Sequence, residues 1–163
     1  MCKTRKMIKV LFICHGNICR SPMAEFLFKD IVRNENLEKD IYVESAATST
    51  EEIGNGIYPK AREQLASHNI SGYKDKTARQ VIKSDYEEFD YLIIMDEENR
   101  HGLKRIVGDD SDSKIFKLLD FVDDENYKGK DVDDPWYTRE FGRCFDEIKK
   151  GCEAFLSYLK ENM

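Results

Sequence analysis

The chain is 163 residues long and carries a net charge of −6. At that length one domain spanning residues 1–163 is expected, able to bury roughly 70% of its unfolded surface without a disulfide or metal to hold it together. Hydrophobic residues at 40% and aromatics at 11% exclude a collagenous or wholly disordered chain; the acidic balance argues against general binding to nucleic-acid backbones; and no strictly apolar run exceeds five residues, too short to cross a bilayer.

The start of the chain is basic, but Lys9 interrupts the apolar residues that follow, and no small-residue cleavage site comes after them. No secretory signal is read, and a cytoplasmic, reducing setting is expected. The five cysteines (Cys2, Cys14, Cys19, Cys144 and Cys152) are accordingly read as thiols rather than a disulfide framework. Ile8–Ile13 is a short, apolar, β-branched run and reads as a buried strand. Ser21-Pro22 reads as the cap and first residue of a helix to about Asn34, with Met23, Phe26, Leu27, Ile31 and Val32 at helical spacing. Ile41–Ala47 is a second strand, and Pro59 opens a helix to about His68. Ser84 caps a short helical turn before a third strand, Asp90–Met95. Asp96–Val107 is a helix stopped by Gly108, Lys114–Leu119 a fourth strand, and Asp120–Tyr137 a long acidic loop. Phe141, Cys144, Phe145, Ile148, Cys152, Phe155 and Leu159 step by threes and fours, which predicts a long closing helix with Cys144 and Cys152 on its apolar face. Such alternation argues for an α/β fold: a parallel sheet covered by helices on both faces, with ligands bound at the carboxyl ends of its strands.

The loop after the first strand is therefore where chemistry is sought. It reads Cys14-His15-Gly16-Asn17-Ile18-Cys19-Arg20-Ser21. Five residues between a cysteine and an arginine can arch into a cradle of inward backbone N–H groups, with the positive end of a helix just beyond. Gly16 and Asn17 tolerate the left-handed backbone such an arch can require. Arg20 offers a planar fork that matches two phosphate oxygens. Cys14 would sit on the floor, where the amides, the helix end, Arg20 and the Ser21 hydroxyl all favour a thiolate, a nucleophile poised against phosphorus. A nucleoside-triphosphate loop would need a lysine after its last glycine; a thioredoxin-like pair would have two residues between its cysteines rather than four; and a zinc site would need a second ligand cluster. No metal site is expected. Expelling an oxygen leaving group calls for a general acid, and the acidic loop offers Asp131, Asp133 and Asp134, the last stiffened by Pro135. Trp136 and Tyr137 could wall a pocket for an aryl group. His15 reads as a surface residue at the rim, and Lys74, Lys76 and Arg79 as a solvated basic face.

The stretch VLFICHGNICRSPMAE resembles the signature of the low-molecular-weight protein tyrosine phosphatases. Ser45-Ala46-Ala47-Thr48-Ser49, Ala78-Arg79-Gln80, Asp90-Tyr91 with Met95-Asp96, and Asp134-Pro135-Trp136-Tyr137 follow in the family's order. The resemblance implies a three-layer α/β/α fold with a four-stranded parallel sheet in the order 2-1-3-4. It implies cofactor-free hydrolysis of phosphotyrosine through a phosphocysteine, with tyrosine-phosphorylated proteins or peptides as substrates and phosphate-like oxyanions as inhibitors. Cys14 would attack, the backbone amides of residues 15–20 and Arg20 would hold the phosphate oxygens, and Asp134 would serve as acid and then base. Asp133 beside it would act only through repulsion that keeps Asp134 protonated. Asn17 would hold the loop with Ser45 as a partner, Ser21 would bond the Cys14 sulfur, Asp96 would pair with loop groups, and Cys19 could trap oxidised Cys14 as a disulfide. A monomer, or weak self-association, is the expected state.

The chain departs from that pattern at Glu51-Glu52, where animal members carry an aromatic residue on the pocket rim; a carboxylate there should disfavour acidic phosphopeptides. Two extra residues lie between Ile70 and Ala78, and Lys76 falls where many members place a histidine that supports the loop. The rival readings are a protein-arginine phosphatase, whose loop carries threonine where this one has Ile18, and a thiol-dependent arsenate reductase. The second would need a relay cysteine within residues 79–100, which contain none. A phosphate sensor without turnover would not need the set Cys14, Arg20, Ser21 and Asp134.

Overall fold

The computed structural model describes residues 6–163; Cys2 lies outside them. The first apolar run forms strand β1 (Ile8–Cys14), followed by helix α1 (Arg20–Asn34), β2 (Ile41–Ala47), α2 (Pro59–Ser67) and a one-turn helix α3 (Asp85–Glu88). Then come β3 (Tyr91–Ile94), α4 (Glu97–Val107), β4 (Ile115–Lys117), a one-turn α5 (Pro135–Thr138) and the closing α6 (Phe141–Glu161). The strands form one sheet in the order β2-β1-β3-β4, with every neighbouring pair parallel. The expected order 2-1-3-4 is the observed one.

Because successive side chains on a strand point to opposite faces, β1 feeds two cores. Val10, Phe12 and Cys14 pack with the residues of α1 and α6, whereas Leu11 and Ile13 pack with Tyr86 of α3 and Leu103 and Val107 of α4. These five β1 residues are at most 3% exposed. That is why the run carries no polar alternation: a strand covered on both faces has no wet side. Asp96 caps α4 through the Asn99 N–H at 2.8 Å, and Gly108 ends it with φ of 80°. No helix among the described residues is long and apolar enough to cross a membrane.

Several expected boundaries move. Helix α1 starts at Arg20, not at Pro22, and Ser21 does not cap it; its hydroxyl is used elsewhere. The fourth strand stops at Lys117, because Leu118 and Leu119 turn under α6 in a 3₁₀ turn over Leu118–Phe121 and are almost fully buried there. The Asp120 carboxylate holds that turn by accepting from the Lys117 N–H at 2.9 Å. Ser84 makes no side-chain cap for α3; the Asp85 carboxylate instead accepts from the Ile82 N–H at 2.8 Å. The acidic segment after β4 is not all loop, since Pro135 starts α5 within it.

Candidate active site

Strand β1 ends at Cys14 and α1 begins at Arg20, and the residues between them arch at the carboxyl edge of the sheet. The Cys14 and His15 carbonyls accept from Thr48 and Ser49 N–H, both at 3.0 Å, and the Ile18 carbonyl from Tyr58 N–H at 2.9 Å. In a planar trans peptide the next N–H points the opposite way, so the amides of His15, Gly16 and Cys19 turn away from those flanking segments. Of the two residues suited to a left-handed backbone only Asn17 adopts it, with φ of 59°. Gly16 does not; a Cβ there would meet the Glu52 side chain at 3.4 Å.

The Cys14 sulfur lies 3.0 Å from Ser21 Oγ, 3.3 Å from the Asn17 N–H nitrogen and 3.4 Å from that of Ser21. Ser21 Oγ accepts from Asn17 Nδ2 at 2.8 Å, which leaves its own proton free to point at the sulfur. The same Nδ2 donates to Ser45 Oγ at 2.9 Å, and Ser45 donates to Glu25 Oε1 at 2.5 Å. Lys76 Nζ closes the chain behind them, donating to the Ser45 carbonyl at 2.8 Å and lying 3.3 Å from Glu25 Oε1. Asn17 Oδ1 accepts from Arg79 N–H at 3.3 Å. A chain of side chains, buried from Glu25 onward, thus runs from Lys76 and Glu25 through Ser45, Asn17 and Ser21 to Cys14.

Arg20 is buried, with one nitrogen committed: Nη1 donates to Asp96 Oδ2 at 2.6 Å and to the Val132 carbonyl at 2.8 Å. Burial opposes its charge, but the neighbouring Cys14 and Asp96 outweigh it and hold the guanidinium above its ordinary pKa. Its Nη2 stands 3.6 Å from Asp134 Oδ2. Asp134 caps α5, its Oδ1 accepting from the Trp136 N–H at 3.0 Å, so Oδ2 is the oxygen left facing Arg20. Cys14, Ile18, Cys19, Arg20, Asp134, Trp136 and Tyr137 all line one cavity of about 210 Å³. Trp136 is 47% and Tyr137 81% exposed, as walls of an open mouth would be. On the opposite rim Glu51 meets His15 Nε2 at 3.1 Å, both side chains exposed. A larger groove of about 910 Å³ runs past Lys117, Asp131 and Arg143, where Lys117 pairs with Asp131 and Arg143 with Asp133, and no cysteine or serine lines it.

Three expectations are corrected. Lys76 is not on a solvated face but mostly covered against Ser45 and Glu25, and Arg79 is bound to Asp85 at 3.0 Å; of that cluster Lys74 is exposed. Asp133 pairs with Arg143 at 3.0 Å, which blunts the repulsion it would exert on Asp134. Asp131 is drawn to Lys117, away from the cavity. Cys19 is buried and its thiol is pushed up, chiefly by desolvation. Cys144 and Cys152 are core residues of α6, as expected. Glu25, Tyr58 and Arg139 were not singled out from the sequence; Glu25 alone left a signal, as the charged residue four positions after Ser21 amid the apolar residues of α1. Among the described residues, no group of three or more His, Cys, Asp or Glu side chains is placed to hold a metal ion.

A family model for low molecular weight phosphotyrosine protein phosphatases matches residues 9–163. The low molecular weight protein-tyrosine-phosphatase YfkJ of Bacillus subtilis is 42% identical over 155 residues, covering 95% of this chain and 97% of that protein. The Gallus gallus low molecular weight phosphotyrosine protein phosphatase is 40% identical over 150 residues, covering 90% and 92%. The crystal structure of the Bacillus subtilis protein superposes with a TM-score of 0.91 at 41% identity, covering 96% of this chain and 97% of that one. Fold and relatives together place the chain among the protein phosphatases, which are hydrolases. Within them, it belongs to the low molecular weight phosphotyrosine protein phosphatase family.

Proposed function

We propose that the chain, as a single domain over residues 1–163, hydrolyses phosphotyrosine in proteins or peptides through a phosphocysteine on Cys14. The observation that carries this reading is a sulfur on the floor of the cavity with three donors within 3.4 Å, beside an arginine whose second nitrogen is uncommitted to Asp96. The Cys14 thiolate attacks phosphorus, the P–O bond to the tyrosine breaks, and Asp134 gives its proton to the departing phenolic oxygen. Water, deprotonated by Asp134, then attacks the phosphocysteine; the P–S bond breaks, releasing inorganic phosphate and restoring the thiolate. Arg20 and the amides of residues 15–20 hold the equatorial oxygens, where charge spreads in the transition state. Their positive charge and N–H groups balance the phosphate, so the chemistry asks for no metal and no cofactor. Ser21 steadies the sulfur as leaving group. Asn17 and Ser45 hold the arch, and Asp96 holds Arg20.

Ile18 lines the cavity with a branched apolar side chain that would crowd a guanidinium, which favours phosphotyrosine over phosphoarginine. Buried Cys19 lines the same cavity as Cys14, which supports a role in capturing an oxidised Cys14, one suited to a reducing compartment such as the cytoplasm. The test is p-nitrophenyl phosphate hydrolysis with and without EDTA, followed by phosphotyrosine and phosphoarginine peptides. The native rate is expected to be insensitive to EDTA, Cys14→Ser to be inactive while still binding phosphate, and phosphotyrosine to be the better substrate. A fully active Cys14→Ser enzyme would refute the covalent route.

A further inference from the structure

The acid-bearing segment meets the arch through Tyr58. The Tyr58 N–H is bonded to the Ile18 carbonyl at 2.9 Å, which ties this residue to the arch. Its ring meets Trp136 edge-on at 5.1 Å and stacks on Phe141 at 5.6 Å, which ties it to the residue two positions past Asp134 and to the first residue of α6. Its hydroxyl accepts from Arg139 Nη2 at 3.0 Å. The Arg139 guanidinium lies 5.7 Å from the Tyr58 ring, 5.8 Å from Trp136 and 5.6 Å from Phe141, within the range of a cation held against aromatic faces. Its Nη1 also donates to the Trp136 carbonyl at 3.4 Å.

The backbone of Arg139 is the second observation. It terminates α5 in the left-handed region with φ of 63°, where glycine or asparagine is the unstrained choice. A one-turn helix such as α5 has no stability of its own. The side chain attached to the strained residue is the one that reaches across to Tyr58. Asp134 is bonded directly to Trp136, so whatever fixes Trp136 fixes the acid.

We propose that Arg139 and Tyr58 form a clasp that positions Asp134 over the arch, so that the proton is delivered along the line of the departing oxygen. This rests on the reading of Asp134 as the general acid. Both are positioning residues; neither needs to touch the phosphate.

The experiment measures kcat/KM, which reports the phosphorus-transfer step, for wild type, Arg139→Gly, Tyr58→Phe and Asp134→Asn. The substrates are p-nitrophenyl phosphate, whose leaving oxygen is weakly basic, and phenyl phosphate and phosphotyrosine, whose leaving oxygens are strongly and about equally basic. Arg139→Gly suits the left-handed backbone, so thermal melting should show a folded protein no less stable than wild type. Asp134→Asn should lose activity steeply as the leaving oxygen becomes more basic, because only the poor leaving groups need the proton. The clasp variants should follow the same trend more weakly, by about tenfold on phenyl phosphate and least on p-nitrophenyl phosphate, with phosphate inhibition retained. If Asp134→Asn steepens the trend while Arg139→Gly and Tyr58→Phe do not, or lose activity equally on all three substrates, the clasp is refuted and the acid stands. If Asp134→Asn itself shows no trend, the acid assignment fails and takes the clasp with it.

Discussion

Lys76 and Glu25 show how the arch is held from behind. Glu25 is 3% exposed and balanced by Lys76 at 3.3 Å and Lys29 at 2.6 Å, while Lys76 Nζ also supports the Ser45 carbonyl. Lys76→Met would leave the carboxylate with Lys29 alone, which is half in solvent. We expect a loss of roughly 2–3 kcal/mol in urea unfolding, at the low end for a broken buried pair because one cation remains. We also expect a several-fold fall in kcat/KM as Asn17 loses its backing. At the rim the effect is one of charge rather than fold. Glu51 and Glu52 both line the cavity mouth, so Glu51→Gln should lower KM for phosphopeptides with acidic flanks and leave basic-flanked ones little changed. A salt series should shrink the difference, because the side chain of Glu51 is exposed. The residues of the arch are legible in the sequence because a cysteine, a glycine, an asparagine and an arginine stand in one short loop after an apolar strand, whereas Asp134 is marked out among its acidic neighbours by Pro135 and the family resemblance. Lys76 was read as solvated because a lysine among lysines looks like surface; nothing local records that Glu25, 51 positions earlier, turns its carboxylate toward it. Arg139 was missed for the same reason: its partners come from α6 and from the segment before α2.

At the scale of elements, what the sequence stated well was periodicity. β1, β2, α1 and α6 fall within a residue or two of where the apolar spacing puts them, because each buries a continuous face, and α2 and α4 fall equally close to the bounds that Pro59 and Gly108 mark. The elements misjudged are those whose ends are set by tertiary contact. Lys114–Leu119 reads as one strand by composition, yet Leu118 leaves the sheet because α6 offers it a closer fit than β3 does. That fit depends on Gly151 of α6, where a Cβ would run into the fully buried Leu118 side chain and come within 3.0 Å of Cδ1. Two effects compete in Gly151→Ala. Helix propensity gains up to about 1 kcal/mol, and overpacking costs about 1–3 kcal/mol. Since Leu118 has nowhere to move, overpacking should win, and the melting temperature should fall while kcat on p-nitrophenyl phosphate stays near the native value. A rise in melting temperature would show that the 3₁₀ turn gives way easily.

At the scale of the whole molecule, the buried thiols weaken the fold at alkaline pH. Cys144 and Cys152 lie in the core between the sheet and α6, and Cys19 is the last residue of the arch; burial pushes all three above the ordinary value of 9.0. In the unfolded chain these thiols ionise near that value, while in the folded chain they keep their protons. The unfolded state therefore binds fewer protons once pH rises past about 9, and stability falls with further rise. Below that pH both states are protonated and the thiols impose no slope. Each core thiol should steepen the decline by about 1.4 kcal/mol per pH unit. Tyr86 and Tyr91 are raised as well, chiefly by burial, but from an ordinary value of 10.0, so their contribution begins about a unit later. Urea unfolding between about pH 8 and 10, under reducing conditions, isolates the thiols. The Cys144→Ala, Cys152→Ala double variant should be less stable than the native chain at neutral pH, because each substitution leaves a small void, yet its stability should decline with a slope shallower by about two protons. Parallel slopes in the two proteins would mean that the sulfurs of α6 ionise as easily folded as unfolded, which the dry packing of that helix against β1 and α1 does not allow.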